Sequence, residues 1–123
     1  YLDKLKLADG VILASPVYFC SCTAQLKIFL ERAGRVCQFS DFPLKDKIGA
    51  ALVIQDQNGG SSVYAELVNW MLSNQMVVVG SNPTCIANNN KAGYLGYEKR
   101  EDSVSVLRMI AKNMTRQLLR RNV

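Results

Sequence analysis

The sequence of 123 residues contains no histidine. This absence excludes His-ligated metal sites, and it also excludes the acid–base and triad chemistry that depends on an imidazole. The four cysteines, at positions 20, 22, 37 and 85, include no Cys-x-x-Cys pair. We expect free thiols in a reducing compartment, with an all-thiolate zinc site as the alternative. The sequence therefore assigns no metal ligand and no catalytic side chain.

Long apolar runs are also absent. No segment approaches the roughly 20 apolar residues that cross a bilayer. The first ten residues, YLDKLKLADG, lack the hydrophobic stretch of a signal peptide. The length is that of one domain. We therefore expect a single soluble, cytoplasmic domain over residues 1–123 that makes no contact with a membrane.

The sequence has a formal net charge of +5, which suits anionic partners. Part of this excess lies in Arg116, Arg120 and Arg121, at the end of a predicted helix, where cations complement the helix dipole. The alternative is a patch that binds phosphate or nucleic acid. The basic residues are scattered and are not interleaved with aromatic residues, so we predict a solvated helix end and no nucleic-acid partner.

Apolar segments alternate with amphipathic ones along the chain. Runs at residues 11–15, 47–55 and 75–80 predict strands buried on both faces of a parallel sheet. Helical apolar stripes follow each run, over residues 23–33, from 61 or 62 to 74, and from 102 or 103 onward. The alternation predicts an α/β fold, a doubly wound parallel sheet with helices on both faces.

Several details of the helices are specific enough to test. We expect Gly34 to end the first long helix, and Lys27 and Glu31 to pair on its outer surface. Between the third strand and the last helix, residues 81–100 are predicted to be irregular, as in a site or an interface. The apolar face of the last helix is predicted to contain Leu107, Ile110, Ala111, Met114 and Leu118.

The first eight residues have the pattern of the end of a helix, with Leu2, Leu5 and Ala8 on one side. We therefore expect the chain to start inside the domain, with a strand and a helix upstream. Three parallel strands without that upstream strand would leave one sheet edge uncovered.

Two loops leave the carboxyl ends of the first two strands, and adjacent parallel strands bring such loops side by side. The first loop, residues 15–22, offers apolar and aromatic groups, and the second, residues 55–62, offers two glycines and two amides. Each loop precedes a helix N-terminus, whose N–H groups favour partial negative charge. Together they predict a slot for a flat heterocycle with a polar rim. Its residues are Ser15, Pro16, Val17, Tyr18, Phe19, Gln57, Asn58, Gly59 and Gly60.

Each part of this slot also has a purely structural interpretation. Tyr18 and Phe19 would serve equally as a cap over the core, and Gly59-Gly60 is a common turn. Cys20 and Cys22 lie beside the slot, where small side chains near a helix start are favoured over a redox role. Only the relative position of the two loops makes the functional interpretation specific.

The residues of the first loop belong to a longer pattern. Ala-Asp-Gly precedes the strand, Ser-Pro-Val-Tyr-Phe follows it, and the helix carries Gln-x-Lys-x-Phe and a closing Arg-x-Gly, all within residues 8–34. Further along the chain stand GAALVIQDQNGGSS, NWML and MVVVG. Over about residues 8–80 the sequence resembles the flavodoxin-like NAD(P)H-dependent FMN reductase family, which includes multimeric flavodoxins and iron–sulfur flavoproteins.

The resemblance implies a flavodoxin-like sheet of order 2-1-3-4-5, of which this chain would hold the last three strands. It implies FMN as cofactor, with residues 15–19 along the ribityl chain and ring and residues 57–60 bordering the ring. The flavin would take hydride from NAD(P)H and pass electrons to a quinone, a flavin or another small acceptor. Relatives form dimers or tetramers with flavin sites at subunit interfaces, which implies a homo-oligomer.

Two departures from the family pattern affect this expectation. Cys20 and Cys22 stand where the family usually has glycine, serine or a small apolar residue. The family's phosphate-binding loop and the cluster cysteines of its iron–sulfur members would lie upstream of Tyr1. Losing even three hydrogen bonds to a phosphate forgoes about 5–9 kcal/mol. We therefore expect the whole gene product to bind FMN and this segment alone to hold it weakly.

Two other functions remain open at this point. The first is a flavodoxin-like carrier of single electrons that never meets nicotinamide, although such carriers are usually acidic. The second is a non-catalytic, oligomerising protein of the same fold.

Overall fold

In the computed structural model, which describes residues 1–82, 84, 86–88 and 101–121, strands and helices alternate along the chain, except that a second short strand follows the third strand before the last helix. The alternation predicted from the sequence is therefore confirmed. The elements are α1 Leu2–Leu7, β1 Gly10–Pro16, α2 Ala24–Phe39, β2 Ile48–Gln55, α3 Gly60–Ser73, β3 Val77–Val78, β4 Ile86–Asn88 and α4 Glu101–Arg121.

All paired strands run parallel, with β2 at the centre. β1 pairs along its whole length with β2, from Gly10 opposite Ile48 to Pro16 opposite Ile54. The other edge of β2 pairs with β3 near its start and with β4 near its end. Within the described ranges, the second edge of β1 has no strand beside it. This arrangement agrees with the predicted parallel sheet and its uncovered edge.

The third strand is shorter than the sequence predicts. Gln75 has φ 59° and belongs to the turn that ends α3, so the strand is reduced to Val77–Val78. β4 lies inside the segment 81–100 that was predicted to be irregular, and that prediction is wrong for Ile86–Asn88. Residues 89–100, with the two tyrosines at positions 94 and 97, lie outside the described residues.

Helices cover both faces of the sheet, as predicted. On one face α2 and α3 pack over buried strand residues such as Leu13, Ala51 and Val53. On the other face α4 packs over Ile48 and Ala50. Each layer removes apolar side chains from water, which is the main force that holds sheet and helices together. The buried side of α4 differs in part from the prediction, because Ala111 is exposed and Val106 is buried.

Gly34 does not end α2, contrary to the expectation from its sequence position. The helix continues to Phe39, and Gly34 lies beneath the indole of Trp70 on α3. A β-carbon at position 34 would come within 2.9 Å of Trp70 Nε1, whose N–H donates to the carbonyl of Leu30 at 2.8 Å. The glycine is therefore needed for helix packing.

Among the helices in the described ranges, none combines the length and the apolar character needed to cross a bilayer.

Candidate functional site

The loop that follows β1, residues 17–22, is called the aromatic loop below. Its first residue extends the sheet, because the Val17 N–H donates to the carbonyl of Ile54 at 2.9 Å. Tyr18 and Ser21 then exchange two backbone hydrogen bonds, of 3.0 and 3.1 Å. Phe19 and Cys20 between them have φ values of 49° and 60°. Two successive positive φ values are characteristic of a type I′ turn, which closes the loop tightly.

This turn holds bulky side chains in a backbone conformation that they disfavour. The left-handed region costs an L-residue about 1–2 kcal/mol, and type I′ turns usually contain asparagine and glycine. The same turn leaves the Phe19 ring fully exposed and Tyr18 62% exposed. Strained backbone of this kind clusters at ligand sites, and exposed aromatic rings beside it can stack on a ligand.

Ser15 is buried behind the loop, and its hydroxyl both donates and accepts a hydrogen bond. Its Oγ donates to the carbonyl of Pro16 at 2.7 Å and accepts from the N–H of Thr23 at 3.1 Å. Thr23 in turn caps α2 by accepting from the N–H of Leu26 at 3.2 Å. These N–H groups at the start of α2 therefore already have protein acceptors, in contrast to the free helix end expected from the sequence.

The loop between β2 and α3, residues 56–59, is called the glycine loop below. It contacts the aromatic loop directly, since a β-carbon on Gly59 would lie 2.9 Å from Cys20 Cα and 3.0 Å from Val17 Cγ1. Gly59 also has φ 87°, which disfavours any side chain. The prediction that the two loops lie side by side is confirmed. The slot expected between them is closed at this contact, so the exposed surface that the two loops offer is their shared edge.

Gly60 lies inside the fold and opens α3. Its N–H donates to Gln55 Oε1 at 2.7 Å, and a β-carbon at position 60 would collide with Gln55 and Ile86. Gln55 was missed by the sequence analysis, because a glutamine at a strand end has no local signal for a helix cap. Gln57 and Asn58 are exposed, and Asn58 Oδ1 lies 3.9 Å from Cys20 Sγ.

A carboxylate on α3 also contacts the aromatic loop. Glu66 Oε1 accepts from Lys27 Nζ at 2.6 Å, and Oε2 accepts from the N–H of Cys22 at 3.3 Å and from Ser21 Oγ at 3.4 Å. Lys27 therefore pairs with Glu66 and not with the predicted Glu31. Sequence spacing identifies partners on one helix only, so a partner 39 residues away gave no signal.

These contacts change the acidities of the groups involved. Partial burial raises the pKa of Glu66, but the bonds from Lys27 and from the Cys22 N–H outweigh it and leave that pKa below its usual range. The hydrogen bond and the charge of Glu66 raise the pKa of Lys27. Burial, followed by the charge of Glu66, raises the pKa of the Cys22 thiol. At neutral pH the pair is ionised and the Cys22 thiol is protonated.

The described cysteines are free thiols, as the sequence predicts: Cys20 is exposed, and Cys22 and Cys37 are buried. Burial raises the pKa of Cys37 as well. Over residues 1–82, 84, 86–88 and 101–121 no group of three metal-ligating side chains comes together.

The shared edge of the two loops has the chemistry of a site for a planar ligand. Tyr18 and Phe19 offer exposed rings, and Gln57 and Asn58 offer exposed amides. Aromatic faces stack on flat ring systems, and amides donate to or accept from polar ring edges. An anion is less suited to the start of α2, because Ser15 and Thr23 already occupy N–H groups there.

Comparison with known proteins gives a consistent result. The family model described as NADPH-dependent FMN reductase matches residues 1–91. An iron–sulfur flavoprotein of Methanocaldococcus jannaschii is 41% identical over 83 residues, which are 66% of this chain and 42% of that protein. An iron–sulfur flavoprotein of Methanosarcina thermophila is 39% identical over 82 residues, 65% of this chain and 42% of that protein. The chain thus spans about two fifths of the length of these relatives.

Solved structures agree on the fold. A flavodoxin, WrbA-like protein from Agrobacterium tumefaciens superposes with a TM-score of 0.73 at 18% identity, covering 94% of this chain and 71% of that one. RosB, crystallised with bound 8-demethyl-8-formylriboflavin-5'-phosphate, superposes with a TM-score of 0.78 at 19% identity, covering 95% of this chain and 50% of that one. The fold is therefore flavodoxin-like, as the sequence predicts.

Proposed function

This chain belongs to the NADPH-dependent FMN reductase family, and we propose that it is part of a flavoprotein that uses FMN to pass electrons from NAD(P)H to a quinone, a flavin or another small acceptor. The observation that carries the proposal is the contact between the aromatic loop and the glycine loop at the carboxyl ends of β1 and β2. That is where open α/β sheets bind ligands.

The residues on the shared edge have distinct tasks in this proposal. Tyr18 and Phe19 present exposed rings to the flavin ring system, and Gln57 and Asn58 meet its polar edge. The remaining predicted site residues shape the two loops. Pro16 and Val17 fix the start of the aromatic loop, and the Ser15 hydroxyl holds it from behind. Gly59 allows the two loops to pack closely, and Gly60 allows α3 to start close to Gln55 and Ile86.

Bound FMN would supply the redox chemistry, accepting hydride and releasing electrons. The tasks left to this chain are to bind, to orient and to shield the ring. None of them needs an imidazole, which agrees with the absence of histidine from the sequence. The FMN phosphate is proposed to be bound by residues outside these two loops, since two N–H groups at the start of α2, those of Thr23 and Leu26, already have protein acceptors.

A flavin titration of the 123-residue chain tests the proposed site. Quenching of flavin fluorescence should report weak binding that does not survive desalting. FMN and riboflavin should bind within about twofold of each other, because the two loops recognise the ring and not the phosphate. Tyr18→Ala and Phe19→Ala should each weaken the binding of FMN and of riboflavin by about three- to tenfold, as expected for one lost aromatic contact.

Phe39→Ala is the matched control, because Phe39 is an exposed aromatic residue at the far end of α2. It should leave both affinities unchanged. Equal losses in all three variants, or no quenching by the unsubstituted chain at millimolar flavin, would contradict the proposed site.

Anaerobic mixing with NADPH or NADH separates a reductase from an electron carrier. In the protein that contains this chain and holds FMN, the flavin absorbance should bleach and return on addition of a quinone. A flavin that is reduced by dithionite but by neither nicotinamide would favour the carrier instead.

We also propose that the protein is a cytoplasmic homo-oligomer. Sedimentation velocity of the FMN-bound protein should give a mass at least twice that of one chain, and a monomer at all concentrations would contradict this.

A further inference from the structure

Glu66 connects the aromatic loop to the two helices beside it. One carboxylate oxygen accepts from the Lys27 ammonium on α2 at 2.6 Å, and the other accepts from Ser21 and from the N–H of Cys22. Glu66 itself is carried by α3 and is only 23% exposed. Because each oxygen has its own partner, the carboxylate is held in one orientation, and hydrogen bonds to a charged acceptor are the stronger kind.

The position of these contacts within the loop gives them their importance. The strained pair Phe19 and Cys20 lies between Val17, which is bonded to the sheet, and Cys22, which is bonded to Glu66. A turn in a disfavoured conformation persists only when the structure on both sides fixes it. The bond from Val17 to the sheet fixes the turn on the strand side, and the bond from Cys22 to Glu66 helps to fix it on the helix side.

We propose that Glu66 is a positioning residue for the flavin site. Its carboxylate, oriented by Lys27, fixes Ser21 and Cys22 so that Tyr18 and Phe19 are presented to the flavin ring. This inference rests on the proposed function, and it adds a residue outside the two loops to the machinery of the site.

The ionisation of the contact gives it a characteristic pH dependence. The titratable groups that contact Glu66 are Lys27 from α2 and Cys22 from the aromatic loop, and Glu31 lies beside Lys27. The pKa of Glu66 is below its usual range, so the carboxylate is ionised at neutral pH and the contact is lost only as pH falls through that lowered pKa. Removing the Lys27 charge should move this loss to higher pH.

Amide hydrogen exchange at Cys22, measured by NMR on the 123-residue chain, tests the contact without any flavin. Glu66→Gln should speed exchange of the Cys22 amide by about tenfold, because a bond to a charged acceptor is lost. The amide of Cys37, whose side chain is buried in the last turn of α2, lies outside the aromatic loop, serves as the reference and should not change. Glu31→Gln, which removes a neighbouring carboxylate that does not contact the loop, should leave both amides unchanged.

Two substitutions of Lys27 separate positioning from general support of the fold. In Lys27→Met the pH at which Cys22 protection is lost should rise, whereas Lys27→Arg should restore the original profile. Glu66→Gln should show no such transition. A merely structural side chain would change the exchange rate without changing its pH profile.

The flavin titration then connects the contact to the site. Glu66→Gln should weaken flavin binding by about three- to tenfold and Glu31→Gln should not. Unchanged Cys22 exchange in Glu66→Gln, or a parallel rise at Cys37, would overturn the positioning role. Faster Cys22 exchange with unchanged flavin affinity would overturn its link to the site. Absence of flavin binding by the unsubstituted chain would instead contradict the proposed function, and the exchange data would still decide the contact.

Discussion

Gly59 packs against the main chain of Cys20, so that a β-carbon on the glycine would lie 2.9 Å from Cys20 Cα. Since Gly59 also has φ 87°, Gly59→Ala introduces a clash and backbone strain together. We expect it to lower the free energy of unfolding by about 1–3 kcal/mol and to weaken flavin binding, because the two loops are forced apart. Urea denaturation and the flavin titration measure the two effects.

Gly80→Ala is the matched control for this substitution. Among the residues that the structure describes, a β-carbon at Gly80 would meet only the Tyr64 hydroxyl oxygen, at an ordinary contact distance of 3.7 Å, and the φ of Gly80 is not positive. We expect a change of no more than about 0.5 kcal/mol and no change in flavin affinity. Similar losses in Gly59→Ala and Gly80→Ala would show that the contact between the loops has no special importance.

The strained turn of the aromatic loop predicts a substitution that stabilises the chain. Cys20 has φ 60° and an exposed side chain, so Cys20→Gly relieves backbone strain and sacrifices little packing. After allowing for the greater freedom of glycine in the unfolded chain, we expect a gain of about 0.5–1 kcal/mol in the free energy of unfolding. Thermal and urea unfolding provide the measurement.

Cys20→Ala separates the backbone from the thiol, because alanine keeps the β-carbon and removes only sulfur. It should leave the stability within about 0.5 kcal/mol of the original chain. An equal gain in Cys20→Ala and Cys20→Gly would attribute the effect to the thiol and contradict the strain.

The sequence was sufficient for the features that depend on periodicity. The apolar runs and stripes predicted the parallel order of β1 and β2 and the buried sides of α2 and α3, since burial alone sets those patterns. The position of the two loops followed from that order. The strain at Phe19 and Cys20 could not be predicted, because neither residue type favours the left-handed region.

The contacts that the sequence missed depend on residues far apart in the chain. Gly34 was predicted to end a helix because glycine commonly does so, whereas here the indole of Trp70 requires its small size. Lys27 was assigned the nearest carboxylate on its own helix, whereas Glu66 on α3 lies closer once the layers pack. In both cases tertiary contacts override the preference that the local sequence indicates.

The packing of Trp70 over Gly34 predicts a coupled pair of substitutions. Gly34→Ala places a β-carbon 2.9 Å from Trp70 Nε1 and should reduce stability by about 1–3 kcal/mol. Trp70→Phe loses the 2.8 Å bond to Leu30, about 1 kcal/mol, and removes the atom that clashes. The double variant should therefore be more stable than the sum of the two losses implies. Additive losses in a double-mutant cycle would contradict the contact.

The end of α3 offers the last test, at a residue far from the proposed site. Gln75 has φ 59°. Its N–H donates to the carbonyl of Leu72 at 2.9 Å, and the N–H of Met76 donates to the carbonyl of Met71 at 3.1 Å. This is the Schellman motif, in which glycine is the preferred residue at the left-handed position. Gln75→Gly should raise the free energy of unfolding by about 0.5–1 kcal/mol in urea. Ser73→Gly, inside the last turn of the same helix, should lower the free energy of unfolding by a similar amount. A loss of stability in both variants would contradict the left-handed conformation assigned to Gln75.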